Sequence, residues 1–346
     1  MKLKIDREYL KNILMMILNC HSPSGFCYDV MDIIEAEALH FGYRFEKTNK
    51  GCGIITIPGE STKEVIGLSA HVDTLGAMVR SITADGKLRF TLIGGPIAAT
   101  LDGEYCKIRT REGKFYTGTF LSTSPAAHVY TDSKDKARLP ETMEVRIDEV
   151  VSSKEDVEKL GICPGDFIFI DPKTVITPSG FVKSRFIDDK GSVACLMTLL
   201  KLLKEENIQP KYTTKIFISV YEEVGHGSSY IPEEITEMIA VDMGCIGEDL
   251  SCTELDVSIC AKDSGGPYDY YMTSKLIKLA KAKKIKHAVD IYPMYGSDVG
   301  AALRGGNNIR GALIGPGVHA SHGMERTHIT ALENTIELLY AYLTIL

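Results

Sequence analysis

The stretch GSVACLMTLLKLLKEENIQPKYTTKIFISVY, residues 191–221, places a helix-like segment directly before a strand-like one. Its apolar run from Lys215 to Val220 is typical of a buried strand. Two adjacent acids, Glu222 and Glu223, follow where this strand ends. Neighbouring carboxylates repel each other, and each loses water if it is buried. The pair therefore either faces solvent or holds something positive between its members.

The same alternation of helix and strand extends to both sides of this stretch. Because such alternation is typical of parallel sheets covered by helices, we expect an α/β fold with a mostly parallel central sheet. The predicted helices are residues 6–18, 28–40, 191–207, 268–284 and 331–346, and the main predicted strands are residues 53–58, 65–71, 213–221, 237–244 and 287–293.

The segment from residue 76 to residue 175 has a different character. Residues 80–93 and 107–121 each show two short strand-like runs around a glycine-containing turn, the pattern of a β-hairpin. One short helix interrupts them, with Ser152 and Glu155 at the spacing of a capping box. We therefore expect a discontinuous α/β domain, residues 1–75 and 176–346, with a small β domain inserted at 76–175.

Composition excludes several classes of function. The 346 residues carry a net charge of -7 without a Lys/Arg block, so neither nucleic acid nor an anionic membrane is an expected partner. No apolar run approaches the ~20 residues that span a bilayer, and the N-terminus lacks a signal-peptide core. The nine cysteines are scattered without a Cys-x-x-Cys pair, which favours reduced thiols and a cytoplasmic location.

Metal-competent side chains follow several of the predicted strands. In a parallel sheet, groups beyond the carboxyl ends of the strands gather in one crevice. Carboxylates combined with histidines suit a divalent, zinc-type site, and so many acids would repel one another without cations. The candidates are His71 and Asp73, the Glu222–Glu223 pair, Asp242, His319 and His322, with Asp188 and Asp189 preceding a helix.

Each candidate also has an ordinary structural interpretation when taken alone. Asp188 and Asp189 fit a helix cap, and adjacent glutamates are often solvated loop residues. Taken together, His71, Asp188, Glu223, Asp242 and His322 can hold two divalent ions if one carboxylate bridges them. Paired ions about 3.5–4 Å apart form a recurrent hydrolytic centre. Glu222 is then free to act as a base.

Six motifs, in this order along the chain, resemble those of the glutamyl, deblocking or tetrahedral aminopeptidases, a family of co-catalytic metallopeptidases whose members are sometimes labelled endoglucanases. The resemblance covers nearly the whole chain and includes residues 146–168 of the insert. The motifs are SPSG (22–25), SAHVDTLGAMV (69–79), FIDDKGSVA (186–194), VYEEVGHGSS (220–229), AVDMG (240–244) and YPMYGSDVGAAL (292–303).

The resemblance implies a role for each candidate ligand. His71 and Asp242 would bind one metal ion, Glu223 and His322 the other, and Asp188 would bridge the two. Zinc is the expected metal and cobalt the alternative, because histidine and carboxylate ligands suit both.

The resemblance also implies roles for the residues next to the ligands. Asp73 would orient His71 through the second ring nitrogen of the histidine. Glu222 would be the general base of the reaction. The peptide bond between Asp188 and Asp189 is expected to be cis, as in related enzymes.

The last histidine is where the sequence departs from the family pattern Ile-Gly-x-Pro-x-Arg-Tyr-x-His. Counting from Ile314 places His322 at the ligand position and His319 where arginine is usual. His322 is therefore preferred to His319, with His328 as a third alternative.

The function implied is removal of the N-terminal residue from peptides. Relatives form dimers that assemble into a tetrahedral dodecamer, so we expect a homo-oligomer in which the inserted β-barrel domain makes assembly contacts. A dipeptidase, carboxypeptidase or deacylase is the nearest rival, because related folds share the ligand set. A non-catalytic, metal-stabilised scaffold is the rival from another class.

Overall fold

A computed structural model describes residues 3–345 of the chain. Within this range none of the helices is long and apolar enough to cross a membrane. The described residues form seven α-helices: α1 (Arg7–Leu18), α2 (Tyr28–His40), α3 (Lys154–Lys159), α4 (Ile187–Glu205), α5 (Tyr270–Lys283), α6 (Asp298–Arg304) and α7 (Ile329–Thr344).

The same residues form nineteen strands, most of them short. They are β1 (Arg44–Lys47), β2 (Gly53–Ile57), β3 (Ser61–His71), β4 (Gly76–Ile82), β5 (Leu88–Ile93), β6 (Tyr105–Arg109), β7 (Phe115–Ser122), β8 (Met143–Ile147), β9 (Phe167–Ile170), β10 (Val175–Ile176), β11 (Phe181–Ser184), β12 (Tyr212–Ser219), β13 (Glu237–Val241), β14 (Gly244–Cys245), β15 (Val257–Asp263), β16 (Gly266–Pro267), β17 (His287–Ile291), β18 (Arg310–Val318) and β19 (Glu325–His328).

The described chain divides into two compact units, one of residues 3–73 and 173–345 and one of residues 74–172. The first unit contains a large sheet with strand order β1-β2-β12-β3-β13-β18-β15-β16, to which β14 and β17 add at β18 and β15. Its centre, β12-β3-β13-β18, is parallel, whereas β2 and β15 pair antiparallel at either side. The expected α/β fold with a mostly parallel central sheet is confirmed.

The register of the parallel strands brings their carboxyl ends to one edge of the sheet. Ser219, the last residue of β12, pairs with His71, the last residue of β3. Val241, at the end of β13, pairs with Ile314 of β18. The side chains that follow these positions therefore emerge close together, although the chain separates them widely.

Helix α4 fixes this edge from one side of the sheet. From Ile187 to Leu200 every residue of α4 is buried, and the helix packs on α1, α7, β3 and β18. Burial on all faces explains why its sequence lacks a polar stripe. Asp188 and Asp189 have non-helical backbone angles, so the regular helix begins only after them.

The second unit is a closed antiparallel barrel of six strands in the order β4-β5-β8-β7-β6-β9. Its core includes an edge-to-face pair of Phe90 and Phe120, whose ring centroids are 5.0 Å apart. The cap of α3 lies one residue later than predicted, because Ser153 rather than Ser152 accepts the hydrogen bond from the N–H of Asp156.

Gly315 on β18 permits the close approach of the strand segment that carries Asp242. A Cβ atom at Gly315 would lie 1.9 Å from the Asp242 carbonyl oxygen. We expect Gly315→Ala to lower the free energy of unfolding by about 1–3 kcal/mol, because the backbone must shift to admit the methyl group. Gly247→Ala is the control, since no described atom lies within 4 Å of its added Cβ. Urea unfolding measures both, and equal stability of the two variants would contradict the packing argument.

Candidate metal centre and active-site cleft

His71 stands at the end of β3 with its two ring nitrogens in different surroundings. Its Nε2 lies 3.2 Å from Asp188 Oδ1 and 3.7 Å from Glu222 Oε2. Its Nδ1 lies 2.9 Å from the backbone oxygen of Asp73 and 3.5 Å from the Oδ1 of the same residue. The imidazole is thus held through Nδ1, and Nε2 faces the acids. The nearer contact to Nδ1 is the main-chain oxygen of Asp73 rather than its carboxylate.

The Asp73 carboxylate instead holds the segment that carries the two adjacent glutamates. Its oxygens accept hydrogen bonds from the backbone N–H groups of Glu222 at 3.1 Å and Glu223 at 3.2 Å. The hydroxyl of Ser24 donates to it at 2.5 Å. These glutamates form a short 3-10 turn that ends at Gly225, whose φ of 82° lies in the left-handed region. The turn directs both carboxylates toward His71 and Asp188.

Asp188 lies between the two histidines, and the peptide bond from Asp188 to Asp189 is cis, which confirms the expected isomer. Asp188 Oδ1 faces His71, and its Oδ2 lies 3.7 Å from the Nε2 of His322. Asp189 Oδ2 accepts the backbone N–H of His71 at 3.2 Å. The side-chain contacts of this pair thus go to the rings of His71 and His322 and to the backbone N–H of His71.

The remaining candidates complete two overlapping groups of metal-competent atoms. His71, Asp188 and Glu223 offer ligand atoms within 4.8 Å of one another, and so do His71, Asp189 and Asp242. His322 Nε2 lies 3.7 Å from Glu223 Oε2. The structure thus gathers the five predicted ligands at one edge of the sheet and adds Asp189 to them.

The competing histidines lie in other surroundings. His319 is exposed, and its backbone pairs with that of Arg326 in an isolated β-bridge. His328 Nε2 contacts the backbone oxygen of Ser179 at 2.8 Å. Of the three histidines, His322 is the one with a ring nitrogen beside Asp188 and Glu223.

The donor set fits divalent cations. Within residues 3–345, Glu223 Oε1, Asp189 Oδ1 and Asp298 Oδ1 are buried and have no hydrogen-bond partner. Buried carboxylate oxygens are normally paired, so orphaned ones point to a missing positive charge. Histidine nitrogen together with several carboxylate oxygens is the ligand chemistry of zinc and similar ions. The residues therefore suit a metal centre.

Burial and mutual repulsion shift the pKa values of these groups. Burial, strengthened by the charge of Asp188, raises the pKa of Glu223 and brings that of Asp242 to about 7. Burial also raises the pKa of Glu222, with the charge of Asp242 adding to it while His71 opposes. For His71, burial alone would lower the pKa, but the hydrogen bond to Asp188 and the neighbouring acids raise it. Without cations, the cluster retains protons.

A cleft of about 330 Å³ opens onto this cluster. Met294, Tyr295 and Ser297, from the motif at residues 292–303, line it, whereas Tyr292 is buried and its hydroxyl hydrogen-bonds Ser258. The predicted site residues on its wall are Asp188, Glu222, Glu223, Asp242 and His322.

Three further residues support the site, and two of them, Ser24 and Glu325, were not predicted as parts of it. Ser24 holds Asp73, and Asp298 accepts a hydrogen bond from Ser219 at 2.8 Å. Glu325 accepts backbone hydrogen bonds from Asp188 and His322. Ser24 lies in the SPSG motif, which resembles a family motif but to which the sequence analysis assigned no function. Glu325 does not follow any of the strands predicted from the sequence, so its neighbours are known only from the folded chain.

The pKa of Asp242 predicts how metal removal affects stability. Its folded value of about 7 exceeds the ~4 of an unfolded chain, so the folded state keeps a proton that unfolding releases. That stabilisation is lost as pH rises through about 7. We expect the Tm of chelator-treated protein to fall by several degrees between roughly pH 5 and pH 7 and to level off above that, and Zn²⁺ to raise it most at the higher pH. Thermal unfolding with and without Zn²⁺ tests this; a pH-independent effect of Zn²⁺ would contradict it.

Solved structures of aminopeptidases share this fold. A TET aminopeptidase from the marine sediment archaeon Thaumarchaeota archaeon SCGC AB-539-E09 matches with a TM-score of 0.88 at 19% identity, with 97% of each chain covered. The TET1 peptidase of Pyrococcus horikoshii matches with a TM-score of 0.84 at 22% identity, over 97% of this chain and 100% of that one. At these identities the similarity establishes the fold.

Sequence similarity extends along nearly the whole chain. YhfE of Bacillus subtilis (strain 168), which is named as an aminopeptidase, is 46% identical over 331 residues, covering 95% of this chain and 96% of YhfE. The family described as M42 glutamyl aminopeptidase matches residues 51–338. The motifs, the fold and these matches agree, and the chain belongs to the M42 glutamyl aminopeptidase family.

Proposed function

We propose that this protein is an aminopeptidase that removes the N-terminal residue of peptides, using two divalent metal ions and Glu222 as general base. The observation that carries the proposal is the position of Glu222. Its carboxylate lies 3.7 Å from His71 Nε2, on the wall of the cleft and beside the ligand cluster. Membership of a peptidase family supports peptide hydrolysis as the reaction.

His71 and Asp242 would hold one ion, Glu223 and His322 the other, and Asp188 would bridge them. Zinc is the proposed metal, with cobalt as the alternative, because the nitrogen and oxygen donors suit both. Bound ions of this kind lower the pKa of water from 15.7 to ~7 and polarise a carbonyl oxygen.

Among residues 3–345 no side-chain donor hydrogen-bonds the Glu222 carboxylate, while the Glu222 backbone is fixed, and both features suit this residue to move protons. Its N–H donates to Asp73, which anchors the turn without occupying the Glu222 carboxylate. In the metal-free protein burial raises the pKa of Glu222, with His71 opposing this shift and Asp242 adding to it. Bound divalent cations would favour the ionised carboxylate, which can accept a proton from water and pass it to the leaving amine. A carboxylate matched in this way typically contributes ~10²–10⁴-fold to the rate.

The charge of the cleft favours peptides with a free N-terminus. Asp188, Glu223 and Asp242 line it together with Glu222, and the proposed ions would neutralise the first three. A free α-amine would therefore meet the metal centre and the Glu222 carboxylate. A blocked N-terminus lacks this free amine and adds an acyl group to the same volume. This difference separates an aminopeptidase from the carboxypeptidase and deacylase alternatives, and cleavage of peptides longer than two residues separates it from a dipeptidase.

We also propose a cytoplasmic homo-oligomer, with dimers assembling to a dodecamer through contacts of the barrel. The support is the relative from Pyrococcus horikoshii, which is described as assembling into a tetrahedron or a large octahedral shell. The nine free thiols suit a reducing compartment. Light scattering on purified protein tests the assembly: we expect a mass many times that of the 38.1 kDa chain. A monomer at all concentrations would contradict it.

Glu222→Gln tests the base. Because the amide cannot accept a proton from water, we expect kcat to fall by about 10²–10⁴-fold while Zn²⁺ content stays that of the wild type. A panel of peptides with free and N-acetylated termini, assayed for release of the first residue, measures rate and substrate class together.

Glu248→Gln is the matched control, because Glu248 is exposed and outside the residues that line the cleft. It should leave kcat and metal content unchanged. Near-normal turnover by Glu222→Gln would remove the base assignment, and preferred cleavage of acetylated peptides would favour a deacylase or carboxypeptidase.

A further inference from the structure

Glu325 connects two ligand segments that come from distant parts of the chain. It begins β19, opposite Ser184 of β11, and is 1% exposed. Its Oε2 accepts the backbone N–H of Asp188 at 3.0 Å, and its Oε1 accepts that of His322 at 3.1 Å. One carboxylate group therefore fixes the spacing between the main chains of Asp188 and His322.

This carboxylate has no cationic partner among the described residues. The next residue, Arg326, pairs with Glu254 on the exposed side of the strand instead. Burial and the charge of Asp188 raise the Glu325 pKa, while the backbone N–H groups of Asp188 and His322 favour the ionised form. A buried acid that depends on main-chain donors is costly unless those donors are held in place. Its burial is consistent with a role in holding these two segments.

The loop that carries His322 needs such an anchor. Ala320 and His322 have φ values of 58° and 63°, in the left-handed region that is unfavourable for a non-glycine residue. The base of the loop is closed by the backbone bridge of His319 and Arg326. The His322 side chain is itself 37% exposed, so packing alone does not determine its position. The hydrogen bond from its N–H to Glu325 does so from within the loop.

We infer that Glu325 is a positioning residue for the metal centre, which holds the His322 loop against Asp188 so that both side chains can share one cation. The inference rests on the ligand set proposed above. Its geometric basis is the 3.7 Å separation between His322 Nε2 and Asp188 Oδ2, directly beside the two backbone hydrogen bonds. Glu325 acts on the ion shared by His322 and Glu223 more than on the ion at His71 and Asp242.

Calorimetric titration of chelator-treated full-length protein with Zn²⁺ tests this asymmetry. We expect wild type to bind two ions and Glu325→Ala to bind one of them about 10–100-fold more weakly, the usual effect of losing a supporting partner, with the other nearly unchanged. Glu325→Gln keeps one carbonyl acceptor, so its affinity for the weakened ion should lie between those of wild type and Glu325→Ala. Glu254→Ala, which removes a surface carboxylate paired to the neighbouring Arg326, is the matched control and should titrate like wild type.

A general loss of structure would not weaken one ion selectively, so the ratio of the two affinities is the decisive readout. Wild-type affinities for both ions in Glu325→Ala would overturn the inference. Equal weakening of both ions in Glu325→Gln, the variant with the smaller change of shape, would also overturn it. Wild-type protein that binds no Zn²⁺ would instead overturn the proposed metal centre, and the two failures are thus distinguishable.

Discussion

Electrostatic repulsion among buried carboxylates is the constraint on which this structure depends. Asp188, Asp189, Glu222, Glu223 and Asp242 lie within a few ångströms at the end of the parallel strands, and two histidines are the basic groups in direct contact with them. Burial removes the water that would otherwise screen these charges. The cluster therefore carries either protons or cations, and divalent cations would neutralise it at neutral pH.

The acids outside the ligand set share a structural task. Asp73 accepts the N–H groups of the Glu222–Glu223 turn, and Glu325 accepts those of Asp188 and His322. The proposed ligands Glu223, Asp188 and His322 are thus each held through the main-chain N–H. Outer hydrogen bonds of this type set the orientation of ligands in metal sites. They also separate the base from the ligands, because Glu222 and Glu223 are fixed by one carboxylate but face different neighbours.

The inserted barrel is a closed, compact unit of its own. Its six strands close on themselves, so it presents no open sheet edge, and the Phe90–Phe120 pair lies in its own core. The chain enters it just after His71 and Asp73 and leaves it before β11, which leads into Asp188. The large sheet is complete without this insertion, because none of its strands lies within residues 74–172.

Sequence alone determined the α/β class, because the alternation around residues 191–221 has the period of helix and strand. It also predicted His71, Glu222 and Asp242 as site residues, because metal-competent side chains directly after apolar strands can be recognised in the sequence itself. Only the tertiary structure decided that Asp189 joins the cluster and that Glu325 ties Asp188 to His322. The choice among the histidines likewise depends on which ring nitrogen lies beside Asp188 and Glu223. The physical reason is that local pattern encodes strand and helix, whereas contacts between segments far apart in the chain arise from register and packing.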